Sequence, residues 1–137
     1  MADCIFCAIA SGEAPATIVD EDADTVSFLD ISPWRRGHAL VIPRRHAANI
    51  LEIDPDQIAL TFAAVKRLAG RMRDRLGAGG VVVWNSTGQV AGQVVMHFHV
   101  HVIPTDDEPP PLPRRSDAVA SEAEIAAAAS ALRGEDG

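Results

Sequence analysis

From Met96 to Pro104, polar and apolar side chains alternate: His97, His99 and His101 fall on one side, Phe98, Val100 and Val102 on the other. A period of two is that of a β-strand, where residues i, i+2 and i+4 share a face. The pattern predicts a half-buried strand over 97–101 carrying a row of imidazoles about 7 Å apart. A helix would scatter the same three rings around its axis.

The rest of the chain divides by the same criterion. Residues 4–11 read as one or two helical turns closed by Gly12. Ala16–Asp20 and Thr25–Leu29 are apolar and β-branched around the polar turn 21–24, a predicted hairpin. Residues 31–37, with Pro33 and Gly37, form a loop, and 38–43 a strand ended by Pro43. Asp54-Pro55-Asp56-Gln57 predicts a helix start, with Asp54 as N-cap, Pro55 at the first position and Gln57 at capping-box spacing. Ile58, Phe62, Val65, Ala69, Met72 and Leu76 then recur at steps of four and three, one apolar stripe predicted to face the core before Gly77 stops the helix. Residues 81–85 are a strand, and 86–93 a polar loop holding Gly88 and Gly92. Residues 106–113 are acidic and Pro-rich, a linker, and Ser121-x-x-Glu124 opens a last Ala-rich helix ending near Arg133-Gly134. Five strands, one long helix and short helices at either end predict an α+β fold with an antiparallel sheet. Residues 1–104 form the domain and 105–137 the tail.

Composition narrows the class. The chain has 137 residues, 47% of them hydrophobic, enough for one domain with a real core. The apolar runs are too short to span a bilayer, and the first residues lack the pattern of a signal peptide, so membrane association is not expected and a cytoplasmic location is. The net charge is −7. Residues 1–104 hold 11 acids and 9 bases, net −2; residues 105–137 hold 8 acids and 3 bases, net −5. A near-neutral body without a basic patch argues against a nucleic-acid polymer as partner, while leaving room for an anionic small molecule in a locally positive pocket.

Three readings fit the histidine row: a catalytic metal site of three imidazoles, nucleophilic catalysis by one imidazole oriented by its neighbours, or a polar strand face without chemistry. Cys4 and Cys7 stand at Cys-x-x-Cys spacing, and among the side chains His38, His46, His97, His99 and His101 can complete a tetrahedral zinc site of two cysteines and two histidines. A redox pair and unliganded thiols are the alternatives. Ala91-Gly92-Gln93 offers backbone N–H groups that a glycine turn can aim at a phosphate lying over the histidines. Trp34-Arg35-Arg36 reads as a solvated loop, with a cap over a pocket as the other reading.

His97-Phe98-His99-Val100-His101-Val102-Ile103 resembles the signature of the histidine triad (HIT) family, His-φ-His-φ-His-φ-φ with φ apolar. Cys4-Ile5-Phe6-Cys7, Phe28-Leu29-Asp30-Ile31-Ser32-Pro33, Gly37-His38-Ala39-Leu40-Val41-Ile42-Pro43 with His46, and Ala91-Gly92-Gln93 resemble the family's other landmarks in the same order, covering residues 4–104. The nearest likeness is to bacterial Hint-type members that keep a zinc site. The resemblance implies the HIT fold and an enzyme, a hydrolase or transferase cutting a phosphorus–X bond at the α-phosphate of a nucleotide: a phosphoramidate, a dinucleoside polyphosphate or an adenylate. It implies His99 as the nucleophile, forming a covalent nucleotidyl-histidine, with His101 as oxyanion donor and His38 in support. It implies phosphate contacts at Gly92, Gln93 and Ser86, a ribose contact at Asp30, and a base wall of Ile5, Phe6 and Phe28 for a purine nucleotide resembling AMP. It implies structural zinc on Cys4, Cys7, His46 and His97, and a homodimer formed through the long helix and an edge strand. Val94 departs from the family's usual Ser or Thr, and Thr105 from its common Arg. The alternative function is a nucleotide-binding or interaction module with negligible turnover.

Overall fold

The computed structural model describes residues 3–108 and 118–135. Most of the Pro-rich linker predicted over 106–113 lies outside these residues. Helix α1 (Ile5–Ser11) is followed by strands β1 (Ile18–Glu21), β2 (Thr25–Leu29) and β3 (Ala39–Pro43). Helix α2 (Pro55–Leu76), strand β4 (Gly80–Trp84), a single 3-10 turn (Gln89–Ala91), strand β5 (Val100–Thr105) and helix α3 (Glu122–Arg133) complete the order. The strands form one sheet in the order β1-β2-β3-β5-β4, every pair antiparallel. This is the α+β fold that the sequence predicts.

Alternation along the strands gives the sheet two different faces. Ala39, Val41, Val100 and Val102 point to one side, where Ala64, Val65, Leu68 and Met72 of α2 close the main core together with Phe98. Val26, Phe28, Leu40 and Ile42 point to the other, where Phe6 and Ile9 of α1 cover them. All five residues of β3 are buried because both faces are occupied there. Helix α1 is short, so it covers one end of its face and leaves the other end open as a cleft. Its start is capped by the Cys4 thiol, which accepts from the Cys7 N–H at 3.3 Å, and its end by Gly12 at φ 83°. The Arg44 guanidinium fastens it from the side, donating to Ala10 O at 3.0 Å.

The structure corrects three local readings. The histidine segment is only partly a strand: β5 begins at Val100, so His97 and His99 lie on an arm before it that bends over residues 95–97. The Phe98 N–H bonds to Ala47 O at 2.7 Å, and the His97 carbonyl is taken by the His99 ring, so this arm is outside the ladder. The buried face of α2 is Gln57, Thr61, Ala64, Val65, Leu68 and Met72, rotated from the predicted stripe, and Phe62 and Leu76 lie exposed. Thr61 is tolerated inside because its hydroxyl donates to Gln57 O at 2.7 Å, satisfying itself within the helix. Gln57 packs inward, and Asp54 makes no side-chain cap bond, so the predicted capping box is not formed there. At α3 the Ser121–Glu124 box is formed in both directions.

Candidate active site

Backbone groups decide where the protons sit on three of the five histidines, and one of these three decides for a fourth. The His99 Nδ1 lies 2.7 Å from His97 O. A carbonyl only accepts, so Nδ1 carries the hydrogen and Nε2 keeps its lone pair. The His97 Nε2 lies 2.9 Å from Pro43 O, which by the same logic leaves the lone pair of His97 on Nδ1. His38 is the reverse case. The Trp34 N–H donates to its Nδ1 at 3.0 Å, so its hydrogen is on Nε2. That nitrogen stands 2.9 Å from His101 Nδ1, which accepts, and the hydrogen of His101 is therefore on Nε2. His99 thus offers a lone pair and His101 an N–H, on neighbouring rings with centroids 5.2 Å apart.

Both rings line a cleft of about 1340 Å³ on the sheet face that α1 leaves open. Ile5, Phe6 and Phe28 form one apolar end, with the Phe6 ring edge-on to Phe28 at 5.3 Å and to His99 at 5.2 Å. Asp30 lines the cleft beside His38 and His101. Its Oδ1 accepts from the Ser32 N–H at 2.8 Å, while Oδ2 stands 3.5 Å from His38 Nε2 and 4.0 Å from His101 Nδ1. One carboxylate oxygen therefore shapes the turn and the other faces the site. Ser86, Gly92 and Val94 also line the cleft, whereas Gln93 does not.

The glycine loop differs from its predicted role. The Gly92 N–H donates to Gln89 O at 3.0 Å and the Gln93 N–H to Gly88 O at 3.1 Å, so both amides are spent inside the turn. The Gln93 side chain is buried and also committed, accepting from Gly88 N at 2.8 Å and donating to Ala48 O at 2.6 Å and Val95 O at 3.0 Å. Gln93 is a staple that holds the loop. The next two N–H groups, on Val94 and Val95, have no acceptor among the described residues. Ser86 Oγ accepts the indole N–H of Trp84 at 2.6 Å, leaving its own hydrogen to donate.

Three further residues enter the site: Asn85 and Trp84, which the sequence did not assign to it, and Trp34, which it assigned only in the alternative reading of that loop as a cap over a pocket. Asn85 Nδ2 donates to His99 O at 2.8 Å and fixes the backbone of the arm. Trp84 stands opposite His101 in the β4–β5 register. Trp34 lines the cleft and meets Trp84 edge-to-face at 5.1 Å, so the loop read as solvated places its tryptophan in the pocket wall. The tryptophans meet across a loop and a strand register, neither of which local sequence specifies.

Cys4, Cys7, His46 and His97 form a separate cluster whose ligand atoms all lie within 4.8 Å of one another. Cys4 Sγ is 3.4 Å and Cys7 Sγ 3.5 Å from His97 Nδ1; Cys7 Sγ is 3.3 Å and His97 Nδ1 3.2 Å from His46 Nδ1. Tetrahedral bonds of about 2.0–2.3 Å place ligand atoms roughly 3.3–3.8 Å apart. The lone pair of His97, set by Pro43, points into this group, so the four residues can hold a metal ion. Asp30, His38 and His101 make a second compact group. A metal on His38 Nε2 would move the ring hydrogen to Nδ1, against the Trp34 N–H. That group fits a hydrogen-bonded relay instead.

Burial sets the charge of the site. Desolvation pushes His101 down to about 4, with His99 and His38 adding to the effect and Asp30 opposing it. Burial also lowers His99 and His38, against the pull of Asp30 on each. The rings are neutral near pH 7, as a nucleophile and a tautomeric relay require. An NMR titration of the ring protons is expected to find His101 still neutral at about pH 5.5, with a midpoint well below the ordinary histidine value of about 6.5. A midpoint at that ordinary value would mean that the cleft is fully hydrated.

Comparison with known proteins bears on all of this. The HIT domain family model matches residues 11–108. Protein hit of Bacillus subtilis is 41% identical over 102 residues, covering 74% of this chain and 70% of the relative. Adenosine 5'-monophosphoramidase hnt1 of Schizosaccharomyces pombe is 38% identical over 105 residues, covering 77% of this chain and 76% of the relative. The crystal structure of a Zn-bound histidine triad family protein from Mycobacterium smegmatis superposes with a TM-score of 0.77 at 34% identity, covering 99% of both chains. A family model that spans most of the chain, together with relatives of this identity and coverage, places it: the chain belongs to the HIT family.

Proposed function

We propose that this chain is a hydrolase or transferase that cleaves a phosphorus–X bond at the α-phosphate of a purine nucleotide through a covalent nucleotidyl intermediate on His99. The observation that carries the reading is the His99 Nδ1 bond to His97 O, which frees Nε2 beside the donor N–H of His101. A relative named as an adenosine 5'-monophosphoramidase supports a nucleoside phosphoramidate as one substrate.

The Nε2 lone pair of His99 forms a bond to the α-phosphorus. The P–X bond breaks, and X leaves with its electron pair and takes up a proton. Water then attacks the same phosphorus and releases a proton, which balances the one taken up by X; the P–N bond returns its pair to the imidazole, and the nucleoside monophosphate departs. Negative charge on the phosphoryl oxygens is met by His101 Nε2–H, the Ser86 hydroxyl and the amides of Val94 and Val95. The amides of Gly92 and Gln93 serve by holding this loop. The free Oδ2 of Asp30 accepts from the ribose, and the base lies against Ile5, Phe6 and Phe28.

The metal held by Cys4, Cys7, His46 and His97 is proposed to be zinc in a structural role: a closed set of four protein ligands leaves no position for substrate. His97 ties it to the chemistry, since the ring that faces the metal belongs to the residue whose carbonyl orients His99. No helix among the described residues is long and apolar enough to cross a membrane, consistent with the proposed cytoplasmic location. The exposed Leu60 and Phe62 of α2 and the open edge of β4 support a homodimer.

Rapid quenching of the wild type with adenosine 5'-phosphoramidate is expected to trap a nucleotidyl adduct, and His99→Ala to lose turnover by more than about a thousandfold. Wild-type protein that binds AMP but gives neither adduct nor turnover would make the chain a binding module. Protein purified without an affinity tag is expected to carry about one equivalent of zinc, and Cys4→Ser to lose it along with thermal stability. Less than about half an equivalent, with Cys4→Ser as stable as wild type, would remove zinc from the account.

A further inference from the structure

The cleft is large, and two tryptophans line it. On the sheet face that lines it, Phe28 pairs with Leu40, Leu40 with His101, and His101 with Trp84. These four strands span three sheet spacings, about 14 Å from Phe28 to Trp84. The volume of about 1340 Å³ exceeds the roughly 300–1,000 Å³ typical of a small-molecule pocket.

The tryptophan end is built as a wall. The Trp84 indole is held by its N–H bond to Ser86 Oγ at 2.6 Å. Trp34 meets it edge-to-face at 5.1 Å and stands 6.1 Å from the His38 ring. A pair serving only to fill a core would be buried, yet Trp34 remains 39% exposed and faces the cleft. An indole with open surface beside a reacting centre offers apolar area and an edge or face to a second ring.

We propose that Trp34 and Trp84 form a subsite for an aromatic ring carried by the leaving group. This rests on the reading of His99 as nucleophile: with the base on Phe6 and Phe28 and the α-phosphorus over the histidines, the group that departs is directed to the tryptophan end. The chemistry is a flat ring joined to the α-phosphorus by a short chain. An arylalkyl amine in a phosphoramidate and the second base of a dinucleoside polyphosphate both supply it. Trp34 and Trp84 would then determine leaving-group specificity without taking part in bond making.

The test compares kcat/KM for adenosine phosphoramidates of ammonia, an alkyl amine and an arylalkyl amine, and for a dinucleoside polyphosphate. Aromatic leaving groups are expected to be favoured about tenfold over the alkyl amine. Trp34→Ala, which keeps the backbone N–H to His38, and Trp84→Leu should each erase most of that advantage, and Trp84→Phe should retain it. Loss of advantage for the aryl amine alone, or for the dinucleotide alone, identifies the source of the ring. Equal preference in wild type and in both variants would overturn the proposal, while absent turnover of the ammonia compound in wild type would instead overturn the reaction itself. A second readout avoids turnover. These are the only two tryptophans, and the chain has no tyrosine. Intrinsic emission of the His99→Ala protein should therefore shift on adding the arylalkyl phosphoramidate and not the alkyl one. An identical response to both would also overturn the proposal.

Discussion

The hydrogen bond from His99 Nδ1 to His97 O is the contact on which the site depends. It spans two residues, yet it sets the tautomer of the ring that lies against Phe6. It exists because the arm leaves the sheet ladder: with Phe98 N–H bonded to Ala47 and Asn85 holding His99 O, the His97 carbonyl is left to accept from the ring. The His97 side chain is meanwhile clamped between Pro43 O and the cysteine–histidine cluster. One residue thus joins the cysteine–histidine cluster to the His99 imidazole. A parallel chain of constraint begins at the Trp34 N–H and passes through His38 to His101. Two imidazoles in one cleft acquire opposite roles, lone pair and N–H, one from a backbone carbonyl directly and the other from a backbone N–H through His38.

The apolar surroundings complete the arrangement. Phe98 and Val100 point away from the cleft into the α2 core, where they anchor the arm, while Phe6 closes over His99 from the other side. Burial keeps the imidazoles neutral, and the same dry walls strengthen the donors that would meet a phosphoryl oxygen. Asp30 is placed where it pulls the histidines toward charge, but with one oxygen tied to Ser32 it does not overcome desolvation.

Much of this was legible in the chain. The alternation around His99, the Cys-x-x-Cys spacing and the helix punctuation at Pro55 and Gly77 each correspond to a local rule, and the sheet and long helix follow from them. Other features depend on pairing that local sequence does not contain. The buried face of α2 includes Gln57 and Thr61, which a hydrophobic pattern excludes; Thr61 is accommodated because its hydroxyl donates to Gln57 O within the helix. The glycine loop carries the predicted turn, but the turn consumes the amides expected to face phosphate. Trp84 reaches His101 through strand register, and Trp34 reaches Trp84 across a loop. Period-two alternation also extended the histidine strand to His97, since it cannot report which carbonyls join a ladder.

Proton placement decides whether His99 has a lone pair to attack with. Long-range proton–nitrogen NMR correlation of the imidazole rings at neutral pH reads it directly, because protonated and lone-pair ring nitrogens resonate apart. Hydrogen on Nδ1 of His99, with hydrogen on Nε2 of His38 and His101, is the predicted result. Hydrogen on Nε2 of His99 would occupy the lone pair that the proposed attack requires and would contradict the account.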